Sequence, residues 1–448
     1  MAMALPMKAL ACACAGFASF ISASAHATAD GEPQDVDARF QATYIWQTKP
    51  SFPAAYSGPN SLSAQKEKSY SFSGTAFLGL RLARDTEVYF NPEVVQGVAM
   101  SNLTGLGGLP NAELAKVAGG KPTFYRARLF VRQTWGLGGE RETVAADDNQ
   151  LAGARDKRRV VLTAGNFAVG DVFDDNDYAH DARTQFMNLS FMTHGAYDFA
   201  ADSRGYTWGA ALEYFGDGWA VRAGRFALPE EPNGLSLDFH LLRHYGDQAE
   251  LEKNYSIAGS SGTVKLLAFR DVAVMGSYDD AVAYAAVNHT QPQLDPVRGL
   301  RSKHGWGINV QQAIGADLGV FARVARSDGR SEPYAFAEID RSASVGAVLT
   351  GAHWGRADDR IGVALARNGL SGSHRDYLAA GGLGFFLGGG KLSYRAETIA
   401  EIYYSAAFPL GKLEHNAISV GWQTIRNPGF NADRGPVHVA SVRLHTEF

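Results

Sequence analysis

Hydrophobic and polar side chains alternate along most of this chain. Over the closing segment Ala440, Val442, Leu444, Thr446 and Phe448 fall on one face, and Ser441, Arg443, His445 and Glu447 on the other. A period of two marks a β-strand, here one that separates an oily medium from a wet one. Near the other end, Val36, Ala38, Phe40, Ala42, Tyr44 and Trp46 oppose Asp37, Arg39, Gln41 and Thr43. Tyr70, Phe72, Gly74, Ala76 and Leu78 then oppose Ser71, Ser73, Thr75 and Phe77, and a short turn leads to Val88 and Phe90 against Glu87, Tyr89, Asn91 and Glu93. Next, Phe124, Arg126, Arg128, Phe130 and Arg132 share one face, with Tyr125, Ala127, Leu129 and Val131 behind them. Similar runs cover 159–168, 206–215, 219–228, 237–246, 249–257, 263–271, 304–313, 317–326, 334–349, 360–367, 391–407 and 415–425. The pattern predicts about sixteen strands, an even count of the kind found in bacterial barrels.

The connections sort into two kinds. Gly216-Asp217-Gly218 and Gly315-Ala316-Asp317 are hairpin turns. The segments at 47–68, 94–122, 137–158, 170–205 and 272–303 are long and polar, too large for an ordinary sandwich. Short turns on a periplasmic rim and long loops on the outer rim predict an all-β fold, a transmembrane antiparallel β-barrel. Only 109–118 reads as a short loop helix. No linker or repeat marks a second domain.

The opening segment changes the address. Lys8 precedes a run of apolar and small residues, and Ala25-His26-Ala27 then gives a small-x-small pattern. This predicts a signal peptide over 1–27 and a single outer-membrane barrel domain over 28–448. Both cysteines, Cys12 and Cys14, lie in the predicted leader, so the exported part has neither thiol nor disulfide. The whole chain carries 42 Lys and Arg against 46 Asp and Glu, and loss of Lys8 shifts the net charge from −4 to −5. So slight a balance gives nucleic acid no electrostatic footprint.

Candidate chemistry lies on the polar faces. Arg126, Arg128 and Arg132 form a cationic ladder, with Glu87 and Glu93 on the preceding strand. Guanidinium forks beside carboxylates exchange hydrogen bonds with sugar hydroxyls; the alternative is that these charges pair with one another and hold the barrel's shape. A second constellation, VGDVFDDNDYAHDARTQF, crowds Asp171, Asp174, Asp175, Asp177, His180 and Asp181 into one loop. Folded inward it narrows the pore opposite the arginines; a calcium site and a solvated outer loop are the other readings. No EF-hand register fits it. His240 and His244 lack a metalloprotease setting, and no serine sits in a nucleophile elbow, so an outer-membrane hydrolase is the weaker alternative. Phe448 seats an aromatic ring at the lipid boundary and offers the barrel-assembly machinery an apolar stripe ending in a ring.

The segments FQATYIWQTKPSFPAAYSGPNSL, VYFNPEVVQGVAMSNLTGLGG, YRARLFVRQTWGLGGE, HDARTQFMN with YTWGAALEY, and IRNPGFNADRGPVHVASVRLHTEF resemble the carbohydrate-selective porins of OprB type. The resemblance implies a sixteen-stranded outer-membrane channel that favours sugars, with trimer and monomer both open. It implies passive diffusion of sugars or small hydrophilic solutes through a barrel set in outer-membrane lipid, with no cofactor. A general or anion-preferring porin, or an exporter of acidic polysaccharide, is the alternative on the same architecture.

Overall fold

The computed structural model describes residues 33–117, 119–335, 338–410 and 415–448. The predicted leader lies outside these residues. Sixteen antiparallel strands, each bonded to its sequence neighbours along the wall, close into one barrel. They are β1 (Val36–Lys49), β2 (Glu67–Ala83), β3 (Thr86–Val98), β4 (Thr123–Gly136), β5 (Arg159–Phe167), β6 (Thr207–Gly216), β7 (Trp219–Phe226) and β8 (Tyr245–Ile257). The second half comprises β9 (Ser260–Gly276), β10 (Arg298–Ile314), β11 (Leu318–Ser327), β12 (Arg341–Thr350), β13 (Arg360–Gly369), β14 (Glu397–Ala407), β15 (His415–Arg426) and β16 (Val437–Glu447). β1 pairs with β16 from Gln41↔Glu447 to Thr48↔Ala440, which leaves the barrel no open edge. Phe40 and Phe448 extend the seam, exchanging backbone hydrogen bonds of 2.8 and 2.9 Å.

Burial is inverted relative to a water-soluble sheet. Val345 and Leu365 are 53% exposed, whereas Lys49, Thr75 and Asn368 are 0% exposed. Large apolar side chains thus point outward from the wall and polar ones point into the lumen. That arrangement suits hydrocarbon outside, where every backbone polar group must be satisfied within the ladder.

The alternation at 237–246 does not become a strand. Only Leu237–Asp238 pairs, with Leu228–Pro229, in a small ribbon of the β7–β8 loop, and β8 begins at Tyr245. Loop 137–158 joins β4 to β5 and therefore lies on the rim of the short turns, not with the other long loops. The expected helix at 109–118 is a 3₁₀ segment, Ala112–Lys116. Two loop helices, α1 (Tyr278–Asn288) and α2 (Gly372–Ala379), add to the elements that the alternation predicts. Their cap signals are present in the sequence: Ser277 accepts from the Asp280 N–H and Ser371 from the His374 N–H.

Candidate functional site

The lumen is shaped by the segment between β5 and β6. This loop runs inside the barrel as a belt, tied to inward-facing side chains almost all the way round. The Asp174 N–H donates to Glu250 on β8, and Asn176 and Asp174 both bond Asn309 on β10. Arg443 on β16 donates to the carbonyls of Ala182, Thr184 and Gln185. Glu401 on β14 accepts from the Met187 and Asn188 N–H groups, and Ser342 on β12 accepts from Ala196. Lys303 on β10 holds Asp198 at 3.0 Å. Rings reinforce the polar ties: Phe173 meets Phe226 edge-on, and Phe186 packs on Tyr403 at 5.0 Å and Phe321 at 5.6 Å.

Arg323 of β11 is a further buried anchor. Its side chain is 1% exposed, and its nitrogens donate to the Asp174 carboxylate at 3.1 Å and to the carbonyls of Ala179 and Phe191 at 2.7 Å each. Burial alone would raise the Asp174 carboxyl, but Arg323 and His194 beside it hold it below the usual carboxylate range. Asp174 is therefore a structural ion. The His194 ring is buried against it, with Nε2 3.2 Å from the carboxylate. Any side chain at Gly307 would strike that ring, since a Cβ there falls 2.4 Å from Nε2.

The other acidic positions diverge rather than converge. Asp175 keeps 57% of its side chain exposed, with Lys265 3.8 Å away. Asp177 faces the open lumen and accepts from Gln311 at 2.7 Å, while burial and the charge of Asp175 push its carboxyl up. His180 is half-buried, its N–H given to Gln185. Asp181 turns back on its own loop, accepting from the Thr184 hydroxyl and the Arg183 N–H. Among the described residues no group of three or more His, Cys, Asp or Glu is placed to hold a metal ion.

The arginine ladder is broken by one residue. The β3–β4 register steps from Asn91↔Arg128 to Pro92↔Arg126, so Ala127 is an extra residue, a bulge. The Asn166 side chain catches its carbonyl at 2.6 Å. A bulge reverses the facing of everything beyond it. Arg126, expected in the pore, therefore stands on the outer wall, 5.1 Å over the Trp208 ring. Tyr125 is turned inward in its place and donates to Glu93.

Arg128 and Arg132 do point into the lumen. Arg128 grips Asp171 of the inserted loop with hydrogen bonds of 2.7 and 2.6 Å. Arg132 lies over the Tyr89 and Phe130 rings and donates to the Asn149 carbonyl at 2.7 Å. Asn149 belongs to the tip of the 137–158 segment, which enters the barrel mouth from the turn side and buries Leu151. Glu87 pairs with Arg81 at 2.8 Å and accepts from the Tyr89 hydroxyl. Glu93, by contrast, is 2% exposed. It holds Arg183 at 2.6 Å and accepts from Thr75, Tyr125 and Tyr206.

Among the described residues a cavity of about 1170 Å³ opens in the turn-side half of the lumen. Arg81, Glu87, Arg132, Arg159, Asp171 and Asp175 line it. Strand residues of both charges, Arg81, Glu87, Arg132, Arg159 and Glu213, share this space with the loop carboxylates Asp171 and Asp175. The anchors Arg323 and Glu401 do not stand out in the sequence; their one signal is a charged residue at an inward strand position.

Residues 78–448 match the sequence profile described as the carbohydrate-selective porin, OprB family. No curated protein sequence matches the chain. Among solved structures, the high-pH structure of Pseudomonas putida OprB superposes with a TM-score of 0.66 at 19% identity, covering 92% of this chain and 94% of that one. The low-pH structure of the same protein gives 0.49 at 14% identity over 92% and 93%. Acinetobacter baumannii OccAB1 gives 0.49 at 10% identity over 95% and 99%.

Proposed function

The chain belongs to the carbohydrate-selective porin family of OprB type, an outer-membrane family of channels, and from that premise we propose how its lumen works. Solutes diffuse passively down a gradient, with no energy source. Residues 28–448 form the mature barrel domain after removal of 1–27. The inserted loop sets the size limit. The cavity residues Arg132 and Glu87, with Asp171 and Asp175 opposite, set the preference for polyhydroxylated solutes.

The observation that supports this most is the pairing of donors and acceptors around one open cavity. A sugar hydroxyl both donates and accepts, so a wall of guanidinium forks and carboxylates replaces its hydration in either sense. A net anion meets the belt carboxylates, and a net cation meets the arginines. This mixed lining favours neutral polyols over an anion-preferring or polysaccharide-exporting role. Liposome swelling tests the reading: monosaccharides should enter faster than charged solutes of equal size, and equal rates by size alone would return the general-porin alternative.

A further inference from the structure

We propose that the outer wall of β11–β15 carries a binding site for the phosphate groups of a membrane lipid. Arg326 and Arg341 face each other directly across the β11–β12 ladder. Arg367 on β13 and Arg426 on β15 oppose Thr398 from its two sides. All four arginines are exposed and lie on the outward face, at the long-loop end of their strands.

Like charges directly opposite on one face of a sheet destabilise it unless something neutralises them. Elsewhere on the same wall, Arg225 is bidentate with Asp247, and Arg126 lies over the Trp208 ring. Over β11–β15 nothing comparable exists among the described residues. The outward positions there are Leu318, Val320, Ala322 and Val324 on β11, with equally uncharged residues below each arginine on β12 to β15. No hydrogen bond or ion pair of the four guanidinium groups is present among the described residues. The counter-anion must therefore come from outside the chain.

The surroundings say which anion. Beneath the arginines on the same faces run Val324 (47% exposed), Val345 (53%), Leu365 (53%) and Trp422 (46%). These belong to the apolar band that meets hydrocarbon. A guanidinium group at the top of such a stripe sits at the depth of the headgroups, where each cation attracts anionic lipid. A freely diffusing anion would use the arginines and ignore the stripe; an acylated phosphate uses both. A second copy presenting the same face would bring guanidinium against guanidinium, so self-association through this face is disfavoured.

Native mass spectrometry of the detergent-solubilised barrel tests the proposal, with lipid A as a bis-phosphorylated probe and its dephosphorylated form as control. Wild type should retain the phosphorylated probe and release the control. Arg326→Gln with Arg341→Gln should weaken retention by about 30-fold, the effect of removing two cations from the headgroup layer. Arg326→Lys with Arg341→Lys should keep most of it. Unchanged conductance and heat-modifiable migration show that the variants are folded; if the Gln pair fails to fold, the comparison of the two probes on wild type still decides. Equal retention of both probes, equal retention by the Gln pair, or a disulfide-linked dimer of a Val345→Cys variant would each overturn the site.

Discussion

Arg128 and Asp171 meet as a two-pronged fork, with hydrogen bonds of 2.7 and 2.6 Å that join the barrel wall to the first turn of the inserted loop. The guanidinium holds the Asp171 carboxyl below its usual range against the opposing effect of burial. The pair is neutral as a unit, and each half alone would charge the pore.

Breaking the fork from its two sides should therefore shift ion selectivity in opposite directions. Arg128→Ala leaves Asp171 as an unpaired anion and should favour cations; Asp171→Asn leaves Arg128 and should favour anions. Each change should cost about 1–3 kcal/mol of stability. Reversal potentials across a planar bilayer in a salt gradient measure the shifts, and two shifts of the same sign would refute the pairing.

Arg323 carries a different load, because it secures the loop rather than facing the solute. Its replacement by Ala leaves Asp174 buried without its main counter-charge, at a cost of about 3–5 kcal/mol. The strand ladder of β11 is untouched. The expected outcome is an inserted barrel with larger, noisier conductance and a raised size limit for polyethylene glycol exclusion; a wild-type size limit would show that the loop does not narrow the pore.

His194 gives the loop a pH dependence. Burial pushes its imidazole down to about 4, outweighing the attraction of Asp174. Between the ordinary histidine value and about 4, the unfolded chain binds a proton that the folded loop refuses. This contribution to stability is thus complete above an ordinary value of about 6.5 and is lost as pH falls toward 4, at roughly 1.4 kcal/mol per unit. The midpoint of heat-induced mobility change should drop across that window in wild type and drop less in His194→Gln. Parallel curves would show that His194 contributes nothing to the pH dependence.

The barrel is legible in the sequence because strand alternation survives in a single chain: the apolar stripes predicted on β1, β2, β3 and β16 face outward in the structure. Arg126 shows where this legibility stops. One extra residue, Ala127, inverts the facing; the step falls at Pro92, which has no N–H for the ladder, and Asn166 on another strand takes up the Ala127 carbonyl, a pairing no local period records. Segment 237–246 departs for the converse reason, since it alternates but finds no neighbour long enough to pair with. In the acidic loop the crowding of charge is visible, but not which carboxylate is buried. Asp174 is buried where it meets Arg323, 149 positions away, together with Asn309 and His194, while its neighbour Asp175 stays exposed.

Phe448 packs its ring 5.2 Å from Phe40 on the lipid side of the seam. Its proposed second role, as the ring recognised during assembly, predicts that its deletion lowers the amount of folded protein in the outer membrane. Conductance per surviving channel should stay unchanged, because the ring points away from the lumen. Quantifying heat-modifiable protein in isolated membranes checks the first part; wild-type levels after deletion would leave Phe448 with its packing role alone.

If Arg132 and Glu87 line the path of a sugar, that sugar should interrupt the ion current as it passes them. Single-channel recording with glucose added to the turn side decides this, comparing wild type with Arg132→Ala and Glu87→Gln. Wild type should show concentration-dependent interruption of the current, with apparent sugar affinity falling by about 5- to 10-fold in either variant, the worth of roughly one charge-assisted hydrogen bond. Sugar block of equal strength in all three proteins would contradict a path along these two residues.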